Sequence, residues 1–384
     1  MADENYYDES TDSYVEVTTQ SWWSRLMSSF VGVLIGLLVF FASFFVLWTN
    51  EGRVDVSEIA EGSIAVNAAN VDPAGQGQLV AVSGVLNSDE QIGDPDYLVP
   101  GNYIELRRSV EMYAWVEEKE TETERNTGGS ETTTTTYTYE KKWTSSPRDS
   151  SNFKRPDGHQ NPTLTIDDAV FTVASANVGA YRINVDDANL PSARELSLTS
   201  AMMTQANARI ESNYIVQGEG TLAAPLVGDV RIQYRVIPNN LDVTVFGQQE
   251  ENRVVAYYEG ENRLLYRVYE GTREEGIATM RSEHVMISWL LRLVGFLMMW
   301  FGLSALFGPI NTFLDILPAL GSVSRFVFNA ITFLIALVFS AITIIISIIA
   351  HNIIALIVTL VIVTLIGWYI ISQRRRNSVP ELAS

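Results

Sequence analysis

This chain of 384 residues contains no cysteine and only three histidines, two residue types that often take part in catalysis and metal binding. Without cysteine there is no disulfide, no thiolate nucleophile and no cysteine-ligated zinc or iron–sulfur cluster. The three histidines, His159, His284 and His351, lie far apart, so none has a second metal ligand at helical spacing. His159 lies in the sequence DGHQNP, where a loop histidine that hydrogen-bonds locally is favoured over a catalytic one.

Carboxylates are abundant, but their spacing does not favour catalysis. Adjacent acids, such as residues 167–168 and 186–187, point to opposite faces of a strand and do not form a paired-acid site by themselves. The chain also has no phosphate-binding loop, nucleophile elbow or zinc-protease motif. The sequence therefore predicts no catalytic residue, no cofactor and no metal site, and a protein that is not an enzyme.

Long apolar stretches predict four transmembrane helices. Trp22 and Trp48 flank the first stretch, and indole rings favour the headgroup layer of a membrane. Arg292 is the only charge in the second stretch, and we expect it to reach the membrane surface from near the end of that helix. Each stretch is close to the roughly 20 residues that a helix needs to cross a bilayer. The predicted spans are residues 22–49, 286–308, 326–350 and 353–371.

Positive residues beside the spans predict the orientation. Arg25 lies at the start of the first span, and Arg374, Arg375 and Arg376 follow the last. Because Lys and Arg accumulate on the cytoplasmic side, both termini are expected in the cytoplasm and residues 50–285 on the opposite side. The expected location is a bacterial inner membrane with a periplasmic domain, or the endoplasmic reticulum or inner nuclear membrane with a lumenal domain in a eukaryote.

Residues 50–285 predict a β-rich α+β extramembrane domain. Residues 103–117 and 132–144 are rich in β-branched and aromatic residues and form a predicted hairpin around a polar tip. A capping-box pattern predicts a helix at 192–212, and a second helix runs from 272 into the second span. Most of the net charge of −19 lies in this region, which excludes nucleic acid as a partner.

The remaining segments connect or flank these parts. Residues 1–21 are acidic and contain few aliphatic side chains, so they predict a disordered tail. Residues 309–325 form a predicted cytoplasmic loop, and residues 372–384 form a predicted cytoplasmic tail.

Several short motifs, in their order along the chain, resemble the transmembrane protein 43 family, also called LUMA. They are TNEGR at 49–53, VEMYAWVE at 110–117, SNF at 151–153, GHQNP at 158–162 and VGDVR at 227–231. The resemblance covers residues 22–376, and it assigns no role to the individual motif residues. These are Asn50, Glu51, Gly52, Arg53, Glu111, Tyr113, Trp115, Phe153, Gly158, His159, Asn161, Pro162, Gly228 and Asp229.

The resemblance implies a non-enzymatic organiser of membrane protein complexes. Eukaryotic members reside in the endoplasmic reticulum and inner nuclear membrane and associate with emerin and lamins. The partners implied here are membrane lipids and other membrane proteins, including further copies of this chain. An alternative is an envelope or lumenal stress sensor that signals through the helix entering the second span. A channel or transporter is disfavoured because the spans contain no chain of acidic residues.

Overall fold

The computed structural model describes residues 4–8, 12–204, 209–260, 262–316 and 318–377. These residues divide into two compact units. The first unit comprises the described residues within 1–18, 55–122 and 133–284, and the second comprises those within 19–54, 123–132 and 285–384.

The first unit is built mainly from β-strands. It contains one short helix, α2 (Val56–Glu61), and the beginning of α3 (Arg273–Leu306). The strands of the chain are β1 (Glu4–Asp8), β2 (Ser13–Gln20), β3 (Ile64–Asn67), β4 (Leu79–Asn87), β5 (Ile92–Asp94), β6 (Leu98–Gly101), β7 (Tyr103–Arg125), β8 (Glu131–Thr144), β9 (Ala169–Thr172), β10 (Ala176–Val178), β11 (Tyr181–Ile183), β12 (Arg194–Glu195), β13 (Arg209–Glu211), β14 (Tyr214–Gln217), β15 (Val230–Pro238), β16 (Leu241–Glu250), β17 (Arg253–Val255), β18 (Tyr257–Glu259), β19 (Asn262–Leu265) and β20 (Arg267–Glu270).

Five strands close into a small barrel. Strand β4 pairs with β10 and β16, β10 with β11, β11 with β17, and β17 with β16. Taken in chain order, this ring reads 1-2-3-5-4-1, with its third and fifth strands parallel, which is the topology of an OB-fold. Its interior is filled by aliphatic and aromatic side chains, including Val82, Tyr181 and Val245, each with no exposed surface.

A nine-stranded sheet forms the rest of the unit. Its order is β1-β2-β8-β7-β15-β14-β13, with β12 on β15 and β9 on β7. Its own core packs around Leu106, Ile232 and Tyr234. The predicted hairpin is confirmed as β7 and β8, although β7 continues eight residues beyond the predicted end at residue 117. The hairpin tip, residues 123–132, belongs to the second unit.

The predicted disordered tail is wrong for the described residues of the N-terminus. Strand β1 pairs with β2, and β2 pairs with β8. Val15 is 6% exposed, so even this acidic segment contributes an apolar side chain to the interior. The pairing also places the tail beside a domain strand. It therefore conflicts with the predicted orientation, in which the tail and the domain lie on opposite sides of the membrane.

The predicted helix at residues 192–212 is also wrong. Strands β12 and β13 lie in this segment, and the backbone N–H of Leu196 donates to the carbonyl of Tyr234, 2.9 Å away. Residues 205–208 lie outside the described part of the chain. Pairing with β15 therefore outweighs the local capping-box signal.

The second unit is helical. Its helices are α1 (Trp22–Glu51), the later part of α3, α4 (Gly308–Leu314), α5 (Pro318–His351) and α6 (Ile353–Asn377). Helices α1 and α3 approach closely at small residues: a Cβ atom built on Gly36 would lie 2.6 Å from the Cβ of Ala305. Small residues permit such contacts between membrane helices.

Three helices of the described chain, α1, α3 and α5, are long and apolar enough to cross a membrane. They correspond to the first three predicted spans. Helix α3 is continuous from the first unit into the second, as predicted, and it begins with a reciprocal capping interaction between Thr272 and Glu275. The predicted fourth span corresponds to α6, whose described apolar stretch, Leu356–Ile370, is shorter than the other three.

Candidate functional site

His159 lies at the centre of a buried aromatic cluster in the first unit. Its side chain is only 3% exposed, and its ring stacks on Tyr139 with 4.1 Å between ring centroids. The edge of Trp115 meets the same ring at 4.7 Å. The two ring nitrogens also have partners: Nδ1 lies 3.0 Å from the carbonyl oxygen of Arg155, and Nε2 lies 3.1 Å from both carboxylate oxygens of Asp12. The predicted local hydrogen bond is present, but the contact with Asp12 links His159 to the N-terminal segment.

Asn161 holds the loop that carries His159 against β7. Its carboxamide oxygen accepts a hydrogen bond from the backbone N–H of Trp115 at 2.8 Å, and its NH₂ donates to the carbonyl of Trp115 at 2.9 Å. The backbone N–H of Asn161 donates to the hydroxyl of Ser150 at 3.0 Å. Phe153 packs on Tyr139 with 6.0 Å between ring centroids. The Asn161 side chain thus makes the two hydrogen bonds to the backbone of Trp115 that a neighbouring strand would otherwise make.

Gly228 and Asp229 support the same strand near Tyr113. The N–H of Tyr113 donates to the carbonyl of Asp229 at 2.8 Å, and the N–H of Gly228 donates to the carbonyl of Tyr113 at 2.9 Å. Gly228 has a φ of +100°, and a Cβ atom there would lie 2.9 Å from Cγ of Pro162. The Asp229 carboxylate accepts a hydrogen bond from the N–H of Leu226 at 2.7 Å. Glycine is therefore required at residue 228 for both conformation and space.

Glu111 and Tyr113 extend the cluster along β7. The carboxylate of Glu111 accepts a hydrogen bond from Nε of Arg231 at 2.6 Å. The Arg231 guanidinium lies 4.7 Å from the Trp143 ring centroid and 4.8 Å from that of Tyr214. Tyr113 packs on Trp143 with 5.4 Å between ring centroids. Cation–π contacts of this kind fix the guanidinium between aromatic faces.

The structure therefore brings ten of the motif residues into one region of the first unit. They are Glu111, Tyr113, Trp115, Phe153, Gly158, His159, Asn161, Pro162, Gly228 and Asp229. The polar groups of His159, Asn161 and Asp229 are hydrogen-bonded to other parts of the protein. No group of three or more metal-ligating side chains occurs among the described residues. The arrangement fixes a loop and the N-terminal segment onto the hairpin.

Sequence reasoning missed two members of this cluster. Asp12 lies in the tail, where nothing in the sequence signals a partner. Burial would raise the pKa of Asp12, but hydrogen bonds from His159 and Tyr7 outweigh it, so the pKa is lowered. Burial, together with a hydrogen bond to Glu117, raises the pKa of Tyr139. The second missed member is Tyr139. Tyr137, Tyr139 and Trp143 alternate along one face of a strand, and this pattern could have indicated it.

Replacing Asp12 by alanine is expected to loosen β2 from β8. A hydrogen bond to a charged group contributes about 1.5 kcal/mol, so amide protection in residues 13–18 should fall by about tenfold in hydrogen exchange. Because the pKa of Asp12 is lowered on folding, this contribution is present above the ordinary pKa of 3.8 and is lost as the pH falls through the lowered value. The control is Asp157→Ala, which removes an exposed carboxylate close in sequence to His159. Equal effects of the two substitutions would contradict the role of Asp12.

The motif residues Asn50, Glu51, Gly52 and Arg53 lie apart from this cluster, at the end of α1 in the second unit. Glu51 accepts two hydrogen bonds from Arg292, at 2.8 and 2.7 Å. Arg292 therefore has an ion-pair partner that was not predicted, while its position at the membrane surface stays a prediction. The NH₂ group of Asn50 donates to the carbonyl of Ser288 at 3.2 Å.

Arg25, predicted only to set the orientation, belongs to a buried ionic network in the second unit. Its guanidinium lies 2.8 Å from the carboxylate of Asp315 and 3.2 Å from that of Glu131, and its side chain is 9% exposed. Asp315 also pairs with Arg125, at 3.2 Å, and with Arg325. The network joins the hairpin tip to the beginning of α1 and the end of α4.

The other residues predicted to determine topology, Arg374, Arg375 and Arg376, lie in the last turns of α6. Their side chains are outside the described part of the chain.

A family model described as "Transmembrane protein 43" matches residues 112–353, more than half of the chain. Transmembrane protein 43 of Mus musculus is 27% identical over 349 residues, which cover 85% of this chain and 87% of that protein. The human protein of the same name is 27% identical over 357 residues, covering 86% of this chain and 88% of its own length. The "Transmembrane protein 43 homolog" of Drosophila melanogaster is 26% identical over 283 residues, covering 71% and 75%. No solved structure gives a significant match.

Proposed function

Because this chain belongs to the transmembrane protein 43 family, we propose that it is a non-enzymatic organiser of membrane protein complexes. In this proposal the β-rich domain binds other membrane proteins and further copies of this chain, while the helices hold it at the membrane.

The observation that supports the proposal is that the polar groups of the motif residues form hydrogen bonds within the domain. His159, Asn161 and Asp229 could in principle act as a base, a ligand or an acid, but their polar atoms are already hydrogen-bonded within the domain. The aromatic side chains around them pack on one another. Polar groups that hydrogen-bond within the domain are not free to act on a substrate. Such a region therefore favours binding of other proteins through its surface over catalysis in a cleft.

The sensor alternative requires a route from the domain into the membrane, and the continuous helix α3 supplies one. A sensor also requires two conformations whose balance a ligand changes. We propose the organiser because the hydrogen-bonded motif residues favour it, and we keep the sensor as the alternative function.

The same proposal includes a four-span membrane part, in which α6 is the fourth span. Its apolar stretch follows α5 after His351 and Asn352, and it ends before the three arginines. The compartment is a bacterial inner membrane, or the endoplasmic reticulum or inner nuclear membrane. The relatives from mouse, human and fruit fly fit the endomembrane location.

Site-directed crosslinking in native membranes tests the organiser proposal. The chain has no cysteine, so a single introduced cysteine gives an unambiguous attachment point. Val170 and Leu226 are apolar and 59% and 53% exposed on the domain, and exposed apolar residues are good positions to probe. With a maleimide crosslinker, Val170→Cys and Leu226→Cys are expected to give recurrent crosslinked species, which mass spectrometry identifies.

Glu259→Cys, at an exposed acidic residue of β18, is the matched control and should give weaker crosslinks. If the chain is recovered only as a monomer from all three variants, and affinity purification finds no recurrent partner, the organiser proposal is wrong.

A further inference from the structure

Two arginines lie side by side on the outer surface of the OB-fold barrel. Arg182 of β11 and Arg253 of β17 are direct partners in the parallel pairing of these strands. Their neighbours Tyr181, Ile183 and Val254 are buried in the barrel, so both arginines point outward, and both are exposed. Because like charges on paired strands repel each other, this arrangement is unfavourable by itself, and an anion bound between the two would offset the repulsion.

The protein itself supplies little compensation for these two charges. Arg253 pairs with Glu250 at 3.2 Å, but the two side chains are 57% and 49% exposed, and an exposed ion pair is weak. The side chain of Arg182 forms no hydrogen bond or ion pair within the part of the chain that the structure describes. The two guanidinium groups are therefore accessible to an anion from outside the protein.

Both arginines line a cavity whose wall is mostly polar. Its volume is about 500 Å³, within the usual range for the site of a small molecule. Ser175, Asn184 and Asp187 also line it and supply hydroxyl, carboxamide and carboxylate groups. The NH₂ group of Asn184 donates to the Asp187 carboxylate at 2.5 Å, which fixes this acid as a hydrogen-bond acceptor. Such a wall suits a polar ligand that carries hydrogen-bond donors as well as an anionic group.

Two tyrosines add aromatic surface to the same cavity. Tyr258 lies on β18 and is 50% exposed, so its ring is accessible to a ligand. Tyr266 is buried, and its hydroxyl accepts a hydrogen bond from the backbone N–H of Asn184 at 2.9 Å. Because a tyrosine combines an apolar ring face with a polar hydroxyl, an exposed one suits a ligand that has both C–H and O–H groups.

The cavity lies in the part of the barrel that OB-folds use for ligands. Arg182 is on the third barrel strand, and Arg253 directly follows the turn between the fourth and fifth strands. Ser175 is the last residue of the connection between the first and second strands. OB-folds bind oligonucleotides and oligosaccharides on their second and third strands and on these two connections. The net charge of −19 disfavours an oligonucleotide, so a saccharide is the favoured class of ligand.

We propose that this cavity binds an anionic saccharide, that is, a sugar that carries a carboxylate or a phosphate group. Arg182 and Arg253 bind the oxyanion, since the planar guanidinium matches both of these groups. Asn184 and Asp187 form hydrogen bonds with the sugar hydroxyls, and the sugar ring lies against Tyr258. The site goes beyond the organiser function, because none of its residues belongs to the motif cluster.

Isothermal titration calorimetry of the full-length protein in detergent tests this site with four probes. Glucuronate and glucose 6-phosphate carry the two oxyanions, glucose carries none, and inorganic phosphate lacks the sugar. At least one of the two anionic sugars is expected to bind about tenfold more tightly than both glucose and inorganic phosphate, because charge-assisted hydrogen bonds are worth about that factor. Tighter binding of glucuronate identifies a carboxylate ligand, and tighter binding of glucose 6-phosphate identifies a phosphate ligand.

Substitution of the two arginines tests their role. Arg182→Gln and Arg253→Gln should each weaken binding of the anionic sugar by about tenfold, and both should fold because these side chains are exposed. Arg194→Gln is the charge-matched control, since Arg194 is an exposed residue of β12 that does not line the cavity, and it should leave binding unchanged. Circular dichroism of each variant shows whether it is folded.

Three results would each overturn the proposal. The first is that neither anionic sugar binds more tightly than glucose. The second is that inorganic phosphate binds as tightly as the better anionic sugar, which would show that the arginines hold an ion without a saccharide. The third is unchanged binding of the anionic sugar in folded Arg182→Gln and Arg253→Gln variants. None of these results bears on the crosslinking test of the organiser proposal, which probes other residues of the domain.

Discussion

Replacing Asp94 by asparagine is expected to destabilise the first unit by about 3–5 kcal/mol, because it removes the buried counter-ion of Arg108, which is itself buried. Asp94 has no exposed surface, and its carboxylate accepts hydrogen bonds from Arg108 at 2.8 Å and from the hydroxyl of Tyr234 at 2.6 Å. Tyr234 is fully buried, and burial together with the hydrogen bond to Asp94 raises its pKa. The effect should be seen by hydrogen exchange as lower protection of the amides of β15, which carries Tyr234.

The same arginine supplies a matched control. Asp96 also approaches Arg108, at 3.4 Å, but its side chain is 67% exposed. Exposed ion pairs contribute about 0–1 kcal/mol, so Asp96→Asn should change the protection of β15 only slightly. If the two substitutions had similar effects, burial of the Asp94 carboxylate would not be the source of its contribution.

Asp315→Asn is expected to destabilise the second unit by a similar amount, about 3–5 kcal/mol. The carboxylate of Asp315 is 3% exposed and pairs with Arg25, Arg125 and Arg325. Asparagine keeps the shape but removes the charge, so the buried Arg25 loses its closest acid. Thermal unfolding of the full-length protein in detergent, followed by circular dichroism of the helices, measures the change.

Arg125→Gln is the control for this network. The Arg125 side chain is 40% exposed, and its loss leaves Asp315 paired with Arg25 and Arg325. Its effect should be about 1 kcal/mol or less. An Arg125 variant as unstable as the Asp315 variant would show that the hairpin tip, and not the buried carboxylate, holds the network together.

Features set by local sequence were predictable. The apolar stretches in α1, α3 and α5 can be recognised by their length and composition. The continuity of α3 follows from the helix formers at residues 272–288, where Gly276 is the only helix breaker. The hairpin of β7 and β8 was predictable because its two strands are close in sequence and share a strong preference for extended structure.

Features set by distant pairing were not predictable. Nothing near Asp12 indicates that His159 is its partner, and nothing near residues 13–20 indicates that β8 lies beside them. The predicted helix at 192–212 failed for the same reason, since the pairing of β12 with β15 is invisible in the segment itself. The partner of Arg292, Glu51, was not predicted because it lies on another helix.

In the candidate site, too, local features were predictable and contacts between distant segments were not. The motif residues could be named from the sequence, but their convergence on the ring of His159 depends on how β7, β8 and the loop at 150–162 meet.

The pairing of β2 with β8 also has a consequence for the order of events during synthesis. The whole of α1 and about the first third of residues 50–285 leave the ribosome between these two strands, so β2 exists for a long interval without its partner. An unpaired strand edge can capture another chain, and pairing between such distant segments forms late. We expect the mutual repulsion of the acidic residues in the first 20 positions to keep nascent copies apart until β8 emerges and completes the sheet.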